Sequence, residues 1–532
     1  MPDDRFDTPA GRTLREHSGT VGQQPLRDLL RDPERPRLLT FDVGPLTVDL
    51  SRMRGDVDTA RALCDLAGQL GVVEQLTATG SGHVVNITEG RAALHTALRA
   101  RADAVIEVDG MNVMPDVTDT AERVSDYVEA VLTGAHAGAT GERITDVVII
   151  GIGGSDLGPR MVTAATRAYH TGAVSVHFVA NVDPAELDTV LAALDARRTL
   201  VVVISKTFTT VETLANARAA REWLVAGVGE DVTAHLCAVT TAVSLAAEFG
   251  VSSDAVFGFR DWVGGRFSLS SAVGIGIEFA VGRTGMASLR EGMRAIDERV
   301  LSDRPYENAA LMLGMLDVWY SEFLGTTTKA VVPYSQDLAL LPAHLQQLQM
   351  ESNGKSVTAS GQPVSWPTSP IVWGAPGTNG QHAFFQLLHQ GTHLVPVDFI
   401  GVKAIRGDER ADLLQANLLA QAAALALGRT REELAGGGVP EELLSHKAMP
   451  GNRPSTVIWM PDLSPHSVGA LIALYEHATV VAGFAWGIDP FDQWGVERGK
   501  ELANALLPAV AGGQLPQDTD AATTASLRTL LG

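Results

Sequence analysis

Hydrophobic residues in this chain come in short unbroken runs separated by stretches of helical spacing. The runs at about 146 to 151, 174 to 181, 199 to 204 and 235 to 240 are rich in Val and Ile, and a helix-patterned segment follows each. Apolar strands alternating with helices predict βαβ units around a parallel sheet buried on both faces. After a mainly helical bridge over 288–323, runs at 329–333, 371–373, 394–400 and 456–460 supply a second strand set. Two α/β units are expected, without a repeat at a solenoid period.

The flanks read differently. Residues 1–35 are charged and Pro-containing and predict an irregular arm with one short helix over 26–31. Extended structure over 38–49 and a helix over 51–71, with Ala60, Leu63, Cys64 and Ala67 at helical spacing, read as a structural preamble. Turn-rich breaks fall at 436–440 and 450–454, and 512–520 is a linker before a terminal helix over 524–531. The division that results is an N-terminal arm with helices over 1–112, a first α/β domain over 113–285, a larger second one over 286–511, and a C-terminal linker and helix over 512–532.

A length of 532 residues exceeds one core's usual size and suits two large units. With 45% hydrophobic and 19% charged residues the composition is globular, and a formal charge of −21 excludes the field of a nucleic-acid binder. Anionic substrates must then be held by local cations. The 2 cysteines, Cys64 and Cys237, lie far apart without metal-like spacing, which suits a reducing compartment and makes the cytoplasm the default. The first 31 residues carry no apolar leader-like run, and the most apolar later stretch, 413–428, is interrupted by Gln and Asn, so neither targeting nor a membrane span is expected.

Two strand ends stand out. At 146–158 the chain reads Asp-Val-Val-Ile-Ile-Gly-Ile-Gly-Gly-Ser-Asp-Leu-Gly, and at 199–210 Thr-Leu-Val-Val-Val-Ile-Ser-Lys-Thr-Phe-Thr-Thr. Small and hydroxyl residues between a strand and a helix let backbone N–H groups and hydroxyls converge on an anion, with phosphate the natural occupant. In the first segment the third glycine of a dinucleotide fingerprint would fall on Asp156, which disfavours a nicotinamide cofactor and leaves a tight packing turn as the alternative. In the second, Ser205, Thr207, Thr209 and Thr210 surround Lys206. One hydroxyl is expected to cap the following helix, and the surplus points to a phosphate. No glycine precedes Lys206, and near Lys355 the first glycine of a Walker A loop is replaced by Gln349, so ATP hydrolysis is disfavoured.

Four further positions are candidates. Arg266 follows two glycines in Asp261-Trp262-Val263-Gly264-Gly265-Arg266-Phe267-Ser268, where it can face a cleft and stabilise negative charge, or pair with Asp261 or Glu278. Glu351, in Met350-Glu351-Ser352-Asn353-Gly354-Lys355, is a lone carboxylate that taken alone does not distinguish a catalytic group from a solvated one. His382 closes a glycine-rich turn and is expected in the first turn of a helix over 382–390, where the helix dipole favours neutral imidazole. A metal pair of His389 with His393 is interrupted by Gly391 and lacks a carboxylate. Lys500 follows Glu497 by three residues, the spacing of a helical ion pair.

In this order, these segments resemble the phosphoglucose isomerase family. The stretch from Asp261 through Ser268 to Gly274 and the stretch 491–500 look like its two signature regions, while 151–159, 205–210, 350–355 and 376–382 look like its active-site loops. The resemblance runs from about residue 36 to the terminal helix. It implies two sugar-isomerase-type (SIS) domains with helical N- and C-terminal extensions, working as a homodimer without metal or nucleotide cofactor and without nucleic-acid or membrane partners. The activity implied is reversible conversion of D-glucose 6-phosphate to D-fructose 6-phosphate, in glycolysis and gluconeogenesis, by ring opening and proton transfer through a cis-enediol.

By match to the family motifs, Glu351 would move the proton between C2 and C1, with Arg266 near the enediolate. His382, reaching the site from the neighbouring subunit and assisted by Lys500, would open the ring. Ser205, Lys206, Thr207 and Thr210 would hold the phosphate, and Gly154, Ser155 and Gln347 would line the sugar site. One departure is Ala375, where the family usually has Glu. Competing readings are a broader-specificity enzyme that also accepts mannose 6-phosphate and a non-catalytic sugar-phosphate sensor. An aminosugar synthase would need an amidotransferase domain with an N-terminal cysteine, which this sequence lacks.

Overall fold

The apolar runs of the first half form a five-stranded, wholly parallel sheet in the structure, a computed structural model that describes residues 5–532. Across the sheet the order is Val256–Phe257, Leu236–Val239, Thr199–Ile204, Asp146–Ile150, Ser175–Val179. Every residue of Thr199–Ile204 is buried, as are Val147, Val148, Ile149 and Ile150, because helices cover both faces.

The second set of runs builds a six-stranded sheet in the order Thr40–Val43, Leu46–Arg52, Ser455–Met460, Val397–Val402, Thr328–Pro333, Ile371–Gly374. Its last four strands are parallel, and the first two form an antiparallel hairpin paired against Ser455–Met460. Residues 38–49 are therefore part of a core sheet and not a preamble. Leu46, Val48 and Leu50 put one buried face of this hairpin on the core, and its pairing covers an edge that would otherwise expose unpaired backbone groups.

Residues 5–35 also hold more order than their composition predicts; residues 1–4 of the expected arm lie outside the described residues. A helix over Pro9–Gly19 starts at Thr8, whose side chain accepts from Gly11 N, and it buries Leu14 completely. Few of its positions are apolar, which is why the pattern conceals it. The short helix expected near residue 26 is Leu26–Leu29.

Both sheets share one topology. Counting from the first strand of each parallel set, the spatial order is 2-1-3-4-5 in the first sheet and 2-1-3-4 in the second, so in both the chain leaves the first strand for one side and returns to place the third on the other. The loops after strands one and three then diverge, and the crevice between them is where ligands of such folds bind.

The two halves meet on long buried helices. Ile275–Ser302, interrupted at Gly282, packs along Pro465–Trp486. The latter is long and apolar enough to cross a membrane, with a mean hydropathy of 1.5 over its best window, and that window is entirely buried in the fold. A helix apolar on all sides belongs in a core. The charges it carries are paired: Arg99 Nη1 lies 2.6 Å from Glu476 Oε2, Arg99 Nε lies 2.7 Å from Asp297 Oδ2, and His477 Nε2 lies 2.7 Å from Asp297 Oδ1. Residues Met1–Pro490 form one compact unit and Phe491–Gly532 a second. The second contains Glu497–Val510 and Ala521–Leu531.

Candidate active site

The two phosphate-loop candidates follow the first and third strands of the five-stranded sheet and so flank its crevice. Asp146–Ile150 leads into the 3₁₀ turn Gly153–Ser155 and then the helix Leu157–Ala165, while Thr199–Ile204 leads through 205–210 into Val211–Val228. Gly153 adopts a φ of +62°, open to glycine at little cost, and a Cβ on Gly154 would stand 2.2 Å from the backbone of Gly265. The first loop is thus pressed against the turn that carries Arg266.

That contact brings distant residues together. Arg266, whose side chain is fully buried, donates from Nη1 to Glu351 Oε1 at 2.9 Å, from Nε to Ser352 Oγ at 2.6 Å and from Nη2 to the Pro490 carbonyl at 2.7 Å. Neither Asp261 nor Glu278, the alternative partners, holds it; Glu278 accepts from Ser125. Gln347 Nε2 donates to Glu351 Oε2 at 2.9 Å. Glu351 ends the π-helical segment Gln346–Glu351, and its side chain keeps 24% of its surface open, so the carboxylate is held on both oxygens yet reachable. Irregular helical turns of this kind recur at functional sites.

The hydroxyl loop is built in a way its capping chemistry does not predict. Thr210 occupies the N-cap position of Val211–Val228, but no side chain caps that helix. Its Oγ1 accepts instead from Ser205 Oγ at 3.2 Å, and Thr207 pairs with Thr209 at 2.6 Å. All four hydroxyls therefore stay within the loop, above a helix start whose backbone N–H groups lack a side-chain cap. Lys206 Nζ donates to the Asp261 carbonyl at 3.1 Å, and it lies over the Phe259 ring at 5.7 Å. Burial, then the nearby Arg91, push the Lys206 ammonium below the ordinary lysine value.

Two expected residues stand apart. His382 ends the 3₁₀ turn Asn379–His382, three residues before the helix Phe385–Gln390, so it does not sit in a helical first turn and the dipole argument does not apply. Its side chain is exposed, while the neighbouring Gln381 Nε2 donates to Tyr334 Oη at 2.8 Å. Lys500 lies in the second compact unit, exposed on Glu497–Val510, and among the described residues no ion pair joins it to Glu497. His389, considered for a metal pair, instead hydrogen-bonds Gln421 through Nε2 at 2.8 Å.

The family profile described as phosphoglucose isomerase matches residues 49–527. The chain belongs to the phosphoglucose isomerase family. It is 50% identical over 526 residues to glucose-6-phosphate isomerase 3 of Rhodococcus jostii, across 97% of this chain and 96% of that one. It is 49% identical over 528 residues to the glucose-6-phosphate isomerase of Corynebacterium glutamicum, across 98% of each. Among solved structures, a glucose-6-phosphate isomerase from Chlamydia trachomatis matches over 100% of both chains with a TM-score of 0.86 at 33% identity.

Within this phosphoglucose isomerase fold, three supporting residues escaped sequence reasoning. Ser352, fully buried, fixes Arg266, while Lys355 Nζ donates to the carbonyls of Glu351, Ser352 and Asp489 at 3.1, 2.7 and 3.1 Å. Thr241 donates to the Lys206 carbonyl from both its backbone N, at 3.0 Å, and its Oγ1, at 2.6 Å. Ser352 and Lys355 stand in the same short run as Glu351, which is a signal; nothing in the sequence links Thr241 to Lys206.

Proposed function

We propose that this protein interconverts D-glucose 6-phosphate and D-fructose 6-phosphate, as the names of its relatives describe for them. The observation that carries the reading is the reachable Glu351 carboxylate, gripped by buried Arg266 and by Gln347, beside the Gly153–Ser155 turn at the crevice of the first sheet. Ser205, Thr207 and Thr210, with Lys206, hold the phosphate above the start of Val211–Val228, and Gly154, Ser155 and Gln347 line the sugar. His382 and Lys500 assist ring opening by passing a proton between the hemiacetal hydroxyl and the ring oxygen.

In the open chain Glu351 takes the proton from C2 while O1 gains one, giving the cis-enediol. Returning the first proton to C1, with loss of the proton on O2, leaves the ketone at C2. Arg266 supplies fixed positive charge where the enediolate develops, an arrangement that lowers the barrier because no reorganisation is needed at the moment of reaction. The exposed position of His382 in a single chain supports a homodimer in which it completes the partner's site. Two sugar-isomerase-type domains, near 113–285 and 286–511, are supported by the parallel strands each span contributes to its own sheet, the second sheet also taking in the hairpin of Thr40–Val43 and Leu46–Arg52, and the buried free thiols Cys64 and Cys237 support a cytoplasmic setting.

The test is a coupled assay that follows fructose 6-phosphate formation from glucose 6-phosphate, and the reverse, in chelator-treated buffer. Turnover in both directions is expected. Absence of conversion by a folded protein would overturn the reading, and a comparable rate on mannose 6-phosphate would replace it with the broader specificity.

A further inference from the structure

On the far side of the Lys206 loop lies a cavity of about 480 Å³ that shares no residue with the Glu351 site. Three arginines reach it: Arg123, Arg260 and Arg290. Arg260 is paired with Asp116, and Arg123 lies over the Phe257 ring at 5.7 Å while donating to the Val256 carbonyl at 3.3 Å. Arg290 differs. Its Nε donates to the Ser270 carbonyl at 3.0 Å, and among the described residues it has no carboxylate partner. Burial pushes its guanidinium below the ordinary arginine value, with Glu278 opposing from a distance. Beside it, Ser270 Oγ is buried without a hydrogen-bond partner. Asp119 is the one further carboxylate on the lining, and it is exposed. Leu98, Val117, Phe259 and Trp262 supply the apolar part of the lining.

A half-buried guanidinium with spare N–H groups next to an unpartnered hydroxyl is the donor set for an oxyanion, and arginine's planar fork is shaped for phosphate or carboxylate. A cavity of this size admits a small metabolite and not merely an ion. We propose that it is a second anion site, taking the oxyanion group of a small organic anion whose carbon portion rests on Trp262.

The site is wired to the phosphate loop. Thr240 and Thr241, which line the cavity, donate to the Lys206 carbonyl, Thr240 Oγ1 at 3.2 Å. Lys206 Nζ in turn holds the Asp261 carbonyl, between the lining residues Arg260 and Trp262. Two anions separated by one loop repel, and the loop that would yield is the one built for the substrate's phosphate. An occupant therefore raises KM for the sugar phosphate and leaves kcat unchanged, and by reciprocity the sugar phosphate weakens the occupant.

The experiment uses the full chain pre-equilibrated with saturating fructose 6-phosphate, so that the Glu351 site is filled. Calorimetric titration with glycerol 3-phosphate, citrate and inorganic phosphate separates a phosphate ester, a carboxylate and a bare ion. Binding of one equivalent per chain of glycerol 3-phosphate or citrate is expected, weakened about tenfold or more by Arg290→Gln, which removes the charge-assisted bonds and retains basal turnover. Ser270→Trp, which fills the cavity, is expected to do the same. With the better probe present, KM rises about fivefold in the wild type, at the low end of ordinary coupling, and not in Arg290→Gln. The site is overturned if neither organic anion binds, if only inorganic phosphate does, or if Arg290→Gln binds as tightly as wild type. Arg290-dependent binding with an unmoved KM overturns the coupling. The binding arm repeated without sugar phosphate reads the site even if the isomerase reading fails.

Discussion

Arg266 and Glu351 form an asymmetric ion pair: the guanidinium is fully buried, the carboxylate is partly open, and Nη1 stands 2.9 Å from Oε1. Ser352 Oγ and the Pro490 carbonyl occupy the other edges of the guanidinium, so it has no room to swing away. Gln347 engages the second carboxylate oxygen. A carboxylate fixed this way keeps its geometry through a proton transfer, which is what the proposed movement of one proton between adjacent carbons requires.

Glu351→Gln keeps the shape and both neighbours but removes the base. We expect kcat to fall by about a hundred- to ten-thousand-fold, with sugar-phosphate affinity little changed. Loss of solvent label exchange at C2 checks the assignment; a variant that still exchanges it would sink the role given to Glu351.

Arg266→Lys preserves the charge but cannot reach Glu351, Ser352 and Pro490 together, because an ammonium lacks the planar fork. The expected loss in kcat is about a hundredfold or more, as for removal of a fixed oxyanion donor. Near-native activity in steady-state assays would show that charge alone suffices.

Ser205→Ala and Thr210→Ala test whether hydroxyls that cap nothing serve a ligand. Each should raise KM by about five- to tenfold, the worth of one hydrogen bond to a charged group, with little change in melting temperature because the helix loses no cap. A lowered melting temperature with an unchanged KM would make the loop structural.

If Lys206 holds the phosphate as proposed, its titration should show in the pH dependence of binding. Its value in the free protein lies below that of an ordinary lysine, since burial and Arg91 disfavour the charged form. A bound phosphate restores a counter-charge and favours the ammonium, so binding takes up a proton once pH exceeds the free-protein value. KM should therefore rise on the alkaline side, beginning below the usual lysine range. Lys206→Arg, which does not deprotonate, should lose that alkaline limb in a KM–pH profile, and retention of the limb would assign it elsewhere.

If His382 completes the partner's site, Glu351→Ala and His382→Ala chains should rescue each other. A mixed dimer has one site with both defects and one with neither, so random exchange should restore about a quarter of wild-type activity. Refolding each mutant alone is the control, and mixed dimers that form but stay inactive would place both residues in one chain's site.

The sequence by itself determined what local pattern can encode. Val and Ile runs such as Val147 to Ile150 have few alternatives to a buried parallel strand, and glycines and hydroxyls at a strand end, as at 151–155 and 205–210, mark a loop facing a helix start. Where pattern was silent, the tertiary structure decided. Pro465–Trp486 is apolar on every side, so it shows no amphipathic period, and only its burial against Ile275–Ser302 gives it a place. The hairpin from Thr40 looks like a flank until a sheet edge beyond residue 455 is there to receive it. Arg266 and Glu351 are 85 residues apart, and each alone reads equally well as a surface charge. Their meeting depends on the close approach of Gly154 to Gly265 and on the π-helical turn that ends at Glu351. Those are contacts between distant segments, set by packing of the whole core, and no local preference of either residue specifies them.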